Sequence, residues 1–424
     1  MIRIFDKESL GDRSILKRCS EPDPKITASV SEIIAKVRAE GDKALREYSM
    51  RFDGACPECL ELPKEELENA ANMVQPELLD VIREAAKRIE RYHRAQIKSS
   101  YVVEGEGTLL MQKLRPLDRV GAYVPGGTAP YPSTVLMNLV PAKLAGVGEI
   151  IMVSPPTCNG AISPVILATA YIAGVDRVFQ VGGAQAVAAL AYGTESIPKV
   201  DKIVGPGNAY VAEAKRQVFG AVGIDLVAGP SEIFVIADDT CVPEIVAADM
   251  LSQAEHDVLS TAVLATTSAE FAAKVADELE KQLSVLPREN IARKSIENNG
   301  MILITDSIED AISMANDLAP EHLELCVDNP FDYVNQIRNA GSVFLGKNCP
   351  EALGDYFSGT NHTLPTGGSA NYGSPLSVDD FVKKTAFTYY TREALEEVMD
   401  SVALFARHEE LEGHARSILS RRKY

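Results

Sequence analysis

Residues 177–219, RVFQVGGAQAVAALAYGTESIPKVDKIVGPGNAYVAEAKRQVF, run through one set of local signals twice. A short apolar run meets a glycine turn, and the turn opens a segment whose apolar residues recur at helical spacing. RVFQVGG passes into AQAVAALAYG, and DKIVGPGN passes into AYVAEAKRQVFG. Upstream the same rhythm holds in RVGAYVPGG (119–127), STVLMNLVPAKLAGV (133–147), EIIMVSPP (149–156) and SPVILATAYIAGV (163–175), and it closes at IDLVAGPS (224–231). Strands alternating with helices in this way predict a parallel sheet covered by helices on both faces.

A second set repeats the rhythm. EIFVIADD (232–239), TAVLATTS (261–268), MILITDS (301–307) and SVFLGKN (342–348) read as strands, with helices beginning near Pro243, Ala269, Ile308 and Pro330. The fold class is therefore α/β, two Rossmann-like domains with parallel-sheet cores and no obvious sequence repeat between them. Before them, SVSEIIAKVRAEGDKALREYSMRF (29–52) and LDVIREAAKRIERYHRAQ (79–96) read as two long amphipathic helices, with His93 solvated beside Arg91 and Arg94. After Gly346 the periodicity gives way to GDYFSGTNHTLPTGGSANYGSP (354–375), too long for an ordinary connection and so a candidate functional segment. Helices close the chain from Thr391 to about Arg421.

The 424 residues carry a formal net charge of -18 and a sequence pI of about 4.9, which repels a phosphate backbone and argues against nucleic acid as a partner. The longest nearly apolar run, ISPVILATAYIAGV, is interrupted by proline and serine and is shorter than the roughly 20 residues that cross a bilayer. No secretory signal is visible at the N-terminus, so no membrane association and a cytoplasmic location are expected. The 7 cysteines are scattered and read as reduced thiols; Cys56 and Cys59 have a CxxC spacing but lack the second pair of a structural zinc site.

Small-molecule chemistry remains. Three turns, YVPGGTAP, VGGAQA and VGPGNAY, each join a strand to a helix as a phosphate-binding turn does, although none is a full GxGxxG. In LSQAEHD, Gln253 and His256 stand three apart on a predicted helix and share one face, which suits two ligands of one metal ion or a hydrogen-bonded helix end equally. Asp355 could add an oxygen, with His362 seven residues on, although acids in glycine-rich loops usually serve the turn; His414 lies in a tail helix and by itself reads as a surface residue. LAPEHLEL (318–325) places Glu321 beside His322 between leucines, where a carboxylate is costly without a partner or a task. The plainer alternative is a helix terminus that Glu321 caps.

Taken together, YVPGGTAPYPSTVLM, VGGAQAVAALAYGTESIPKVDKIVGPGNAYVAEAKRQV, AGPSEIFVIAD, DMLSQAEHD, APEHLEL, AGSVFLG and GDYFSGTNHTLPT resemble, block by block and in order, the histidinol dehydrogenase family. The likeness covers nearly the whole chain, departing at the Cys56–Cys59 loop and in a tail where only spaced residues match. It implies an NAD-dependent enzyme, with one zinc ion per subunit, that takes L-histidinol through L-histidinal to L-histidine with two NAD+. By the resemblance, Gln253, His256, Asp355 and His414 hold zinc; Ser231, Glu409, His322 and the zinc ligands surround the substrate; Tyr123, Gln185 and Asn208 meet NAD. It also implies a homodimer in which the tail of one subunit completes the site of the other. The expected division is an arm over 1–25, a domain of 26–117 plus 232–376 carrying most of the catalytic site, an NAD-binding domain over 118–231, and an exchanged tail over 377–424.

Chemistry gives Glu321 and His322 separate tasks in such a reaction. Converting CH2OH to a carboxylate removes two hydrides in succession, and each oxidation needs a base. An imidazole suits the alcohol proton, which assigns His322 to the first step; the adjacent carboxylate Glu321 suits activation of the water that adds to the aldehyde. The main competing expectation is a family relative that oxidises another small alcohol, such as a hydroxylated sulfonate.

Overall fold

The computed structural model describes residues 2–6, 23–126, 130–157 and 160–423. Most of the expected N-terminal arm, residues 127–129 of the YVPGGTAP turn, Cys19 and Cys158 lie outside the described residues. The chain forms two compact units, residues 1–96 with 117–381 and residues 97–116 with 382–424.

The chain opens with β1 (Arg3–Phe5), α1 (Pro24–Glu40), α2 (Asp42–Phe52), β2 (Glu61–Leu62), α3 (Lys64–Met73) and α4 (Pro76–Arg94). The pair β3 (Tyr101–Gly105) and β4 (Thr108–Pro116) precedes the first alternation: β5 (Arg119–Tyr123), α5 (Pro132–Ala145), β6 (Glu149–Ser154), α6 (Pro164–Ala173), β7 (Arg177–Gln180), α7 (Gly183–Tyr192), β8 (Lys202–Val204), α8 (Ala209–Val218) and β9 (Gly223–Ile224). The second alternation runs β10 (Glu232–Ala237), α9 (Pro243–Ala254), β11 (Thr261–Thr266), α10 (Ala269–Leu283), α11 (Glu289–Asn299), β12 (Met301–Ile304), α12 (Ile308–Leu318), β13 (His322–Cys326) and β14 (Ser342–Leu345). The short helix α13 (Glu351–Tyr356) follows, and β15 (Val382–Tyr390), α14 (Arg392–His408) and α15 (Glu412–Leu419) end the chain.

The larger unit holds two six-stranded sheets, β2-β7-β6-β5-β8-β9 and β1-β12-β11-β10-β13-β14. Every pairing in them is parallel except that of β2 with β7. Numbered from its own first strand, the alternating part of each sheet has the order 3-2-1-4-5, the doubly wound plan. The repeat that the sequence hides is thus present in the topology. Strands such as β10 are buried on both faces, which is why EIFVIA is apolar without alternation after its first residue. Separate apolar clusters fill the two faces of each sheet.

Four expectations need correction. SVSEIIAKVRAEGDKALREYSMRF is two helices: Gly41 has φ +55, and a Cβ there would lie 2.2 Å from Glu195 Oε2, the oxygen that accepts the Asp42 N–H. The helices of residues 24–94 pack mainly against the helices of the first sheet, α1 with α7 and α8, α3 with α6, and α4 with α5, while α4 also meets the 354–375 segment through His93 and Asn361. Residues 101–116 form instead the antiparallel sheet β15-β4-β3 of the smaller unit. Its strands are largely exposed, and the period-2 signal of a half-buried strand is correspondingly weak. At Pro330 there are only short 3-10 turns, Pro330–Asp332 and Val334–Gln336.

Candidate functional site

LAPEHLEL spans the end of one element and the start of another. Helix α12 stops at Leu318, Ala319 adopts the left-handed conformation at φ 51, and β13 begins at His322. The helix-end signal is real but belongs to α12, and Glu321 does not cap it. Instead β13 inserts between β10 and β14, with His322 opposite Ile233 and Ser342. This places Glu321 and His322 at the amino ends of the central strands, beside Ser231 and Glu232 at the start of β10.

Glu232 is a residue that sequence reasoning missed. Its N–H donates to Glu321 Oε2 (3.0 Å), its Oε2 accepts the Glu321 N–H (3.4 Å), and its carbonyl lies 3.0 Å from His322 Nδ1. The carbonyl can only accept, so Nδ1 donates to it, and in the neutral ring Nε2 is the nitrogen left to take up a proton. Nε2 has no hydrogen-bond partner and faces Glu351 Oε1 at 3.7 Å and Asp355 Oδ1 at 3.9 Å. A glutamate opening an apolar strand gives no sign in the sequence that it will lock its neighbours across the sheet.

Three further groups converge. Gln253, in the last turn of α9, is 1% exposed, and neither atom of its amide is hydrogen-bonded. His256 lies just past the helix end, where burial lowers its pKa while the nearby Asp355 opposes that shift. Helix α13 puts Glu351 and Asp355 on one face, four residues apart, and His322, Glu351 and Asp355 offer ligand atoms within 4.8 Å of one another. Burial alone would raise the Asp355 pKa, but the hydrogen bond and charge of His362, with His322 and Glu351, hold it below the carboxylate range. The mixed nitrogen and oxygen donors, with a buried amide and a carboxylate oxygen left unpaired, fit a divalent cation. The carbonyl end of α9 adds a favourable potential.

The remaining carboxyls are strained toward their neutral form. Burial pushes the Glu321 pKa well above the usual range, against the Glu232 N–H bond that favours the carboxylate, with the charges of Glu232 and Asp355 adding to it, and burial with Asp355 pushes Glu351 up to about 7. The fold retains the Glu351 proton up to about pH 7, whereas an ordinary glutamate loses it near 4.5. The chelated protein therefore loses stability as pH rises through that interval, by at most about 1.4 kcal/mol per pH unit from this group. Thermal unfolding of the chelated protein at pH 5 and pH 7.5 should show a smaller drop for Glu351→Gln than for the unaltered chain; equal drops would refute the assignment.

His93 corrects another expectation. It is fully buried on α4, with Nδ1 2.8 Å from the Ile89 carbonyl and Nε2 3.2 Å from Asn361 Nδ2. Asn361 also donates to the Met137 carbonyl (2.8 Å) and accepts the Thr363 N–H (2.8 Å), so His93 anchors the segment bearing His362. Its flanking arginines suggested a solvated face, but a buried histidine and an exposed one occupy a helix with the same spacing.

In the first sheet the turns lie at the carboxyl ends of the strands. The Tyr123 hydroxyl accepts the Gly183 N–H at 3.0 Å, and burial raises its pKa to about 12. Gln185 is 1% exposed with both amide atoms unpaired, and Asn208 caps α8 through Oδ1. The two sheets thus present their polar groups at opposite strand ends. Glu409 and His414 are exposed in the smaller unit, at the end of α14 and on α15. Cys56 and Cys59 are free thiols.

Comparison with known proteins gives these residues a family. The histidinol dehydrogenase family model matches residues 16–422. The chain is 50% identical over 428 residues to the histidinol dehydrogenase of Clostridium acetobutylicum, covering 100% of this chain and 99% of that protein. It is 51% identical over 414 residues to that of Bacillus cereus, covering 97% and 96%. The crystal structure of histidinol dehydrogenase from Elizabethkingia anophelis superposes with a TM-score of 0.94 at 39% identity, covering 100% of this chain and 98% of that one. From sequence and fold together, the chain belongs to the histidinol dehydrogenase family.

Proposed function

We propose that this chain oxidises L-histidinol to L-histidine through L-histidinal, reducing two NAD+, as the last step of histidine biosynthesis. Membership of the family makes it an NAD-dependent oxidoreductase acting on CH–OH. The observation that carries the finer reading is the fixed pair at the start of β13: His322 with Nδ1 bonded and Nε2 without a hydrogen-bond partner, and Glu321 held beside it. No helix among the described residues is long and apolar enough to cross a membrane.

In the first half-reaction, His322 Nε2 takes the hydroxyl proton as hydride leaves the same carbon for NAD+. The carbonyl of Glu232 holds the ring in the required tautomer, and the ionised Asp355 stands where it favours the imidazolium that forms. In the second, ionised Glu321 removes a proton from water as its oxygen bonds to the aldehyde carbon; the hydrate then yields its hydride to a second NAD+. A carboxyl whose pKa is raised by burial is the stronger base once ionised.

Gln253, His256 and Asp355, with His414 from a partner subunit, would hold a zinc ion, and Glu351 borders them. Zinc at these donors would supply a Lewis acid that binds and orients the amine and imidazole of histidinol. Ser231 and Glu409 complete the substrate contacts in this reading, and Tyr123, Gln185 and Asn208 meet NAD. Exposed apolar residues on α14, among them Leu404 at 61% and Phe405 at 69%, support a homodimer that shares its sites through the tail.

The test is the NADH formed per L-histidinol consumed, before and after chelation and zinc return. Two NADH per histidinol, lost on chelation and regained with zinc, is expected. One NADH would rule out the second half-reaction, and none from a folded, zinc-supplied protein would point to a relative with another substrate, such as a hydroxylated sulfonate.

A further inference from the structure

The VGPGN turn is held from beneath by a buried ion pair. Lys215 and Asp225, whose side chains are 1% and 2% exposed, form a salt bridge, and the two ends of that bridge grip one residue of the turn. Lys215 Nζ donates to the Gly205 carbonyl at 2.9 Å, and Asp225 Oδ2 accepts the Gly205 N–H at 2.7 Å. Asp225 Oδ1 also accepts the Leu226 N–H at 2.6 Å, which fixes the carboxylate in the chain beyond β9. Both polar groups of the Gly205 backbone are therefore committed to charges that water does not reach.

Gly205 has φ +105, a conformation that side-chain-bearing residues rarely adopt, and a Cβ there would lie 2.2 Å from the Tyr123 carbonyl oxygen. The turn consequently passes directly against the end of β5. From there the contact continues, because the Tyr123 hydroxyl accepts the Gly183 N–H at the opening of α7. On the other side, Lys215 stands seven residues after Asn208, two turns along α8, whose N-terminus Asn208 caps. One ion pair thus ties together Asn208, the backbone of Tyr123 and, through the Tyr123 ring, the turn before Gln185.

We propose that Lys215 and Asp225 are positioning residues for NAD, setting the spacing of the three glycine turns without touching the cofactor. This rests on the reading that Tyr123, Gln185 and Asn208 meet NAD. A lysine whose side chain is 1% exposed, paired with Asp225 and bonded to a carbonyl, is sealed away from a phosphate beyond the turn. Its influence acts through geometry, and displacement of a binding turn by about 1 Å is enough to cost one to two orders of magnitude in a site of this kind.

Removing one partner would strand a buried charge and unfold the region, so the pair is changed together. Apolar replacement of both members of a buried ion pair is commonly tolerated by the fold. Lys215→Met with Asp225→Val removes every bond to Gly205; Lys215→Met with Asp225→Asn keeps an acceptor for its N–H. NAD+ binding to the full-length protein, measured by calorimetry, should weaken at least about tenfold in the first variant and about threefold in the second. The KM for NAD+ should rise in parallel, with kcat at saturating NAD+ within about twofold of the unaltered enzyme and thermal unfolding little changed. Unaltered NAD+ affinity in whichever double variant folds would overturn the proposal. Asn208→Ala, run alongside, separates the two layers: if it leaves NAD+ affinity intact while the pair variants lose it, the assignment of Asn208 fails and the pair's role stands.

Discussion

Glu321→Gln should leave the enzyme able to make the aldehyde but slow to finish the reaction. Loss of a positioned general base typically costs a hundred- to ten-thousandfold, and this cost should fall on oxidation of L-histidinal supplied directly. Oxidation of L-histidinol to the aldehyde, read as the first NADH in a single turnover, should stay within about fivefold, because Glu232 still supplies the carbonyl that orients His322. Glutamine preserves the volume and an oxygen for the Glu232 N–H, so the fold is not at stake. The pH dependence adds a second readout. The raised Glu321 pKa requires aldehyde oxidation in the unaltered enzyme to fall on the acid side at a pH above the ordinary carboxylate range. Equal losses in both half-reactions would remove the division of labour between Glu321 and His322.

The second large effect is the recovery of activity from two inactive proteins. His256→Ala and His414→Ala should each be inactive alone, since each removes one proposed zinc donor from every site. If the proposed tail exchange holds, co-expression gives mixed dimers in which one site carries both substitutions and the other carries neither. Random pairing makes half of the dimers mixed, with one intact site of two, so roughly a quarter of the unaltered activity should return. No recovery, with mixed dimers verified by differential tagging, would mean that each chain builds its site alone and that the tail is not exchanged.

Much of the fold is legible because glycine turns and continuous apolar runs mark a parallel sheet wherever they occur. Both alternations, and the helices beginning at Pro243, Ala269 and Ile308, follow from those local signals. What escaped depends on partners far away in sequence. Strand β13 is absent from the predicted strands, and a helix end stays open there, because what makes HLELC a strand is β10 and β14 on either side of it. The reciprocal bonds of Glu232, the burial of His93 and the unpaired amide of Gln253 have the same origin: no feature of GPSEIFV, IERYHRA or LSQAEHD reports what lies opposite. The spacing of Gln253 and His256 suits a metal and a hydrogen-bonded helix end equally, and only the family resemblance chooses between the two.

The smaller unit's sheet also sets an order of events for the newly made chain. Strands β3 and β4 are made before both alternations, yet the nine residues of β15 that pair with β4 along its length follow only after them. Until then the hairpin keeps a long unpaired edge, a template for any other strand within reach. The first partner of matching register that a waiting hairpin meets can belong to another copy made on the same message. Delayed completion of this kind favours assembly between nascent neighbours over assembly between finished chains, and slowing translation between residues 116 and 382 should shift that balance.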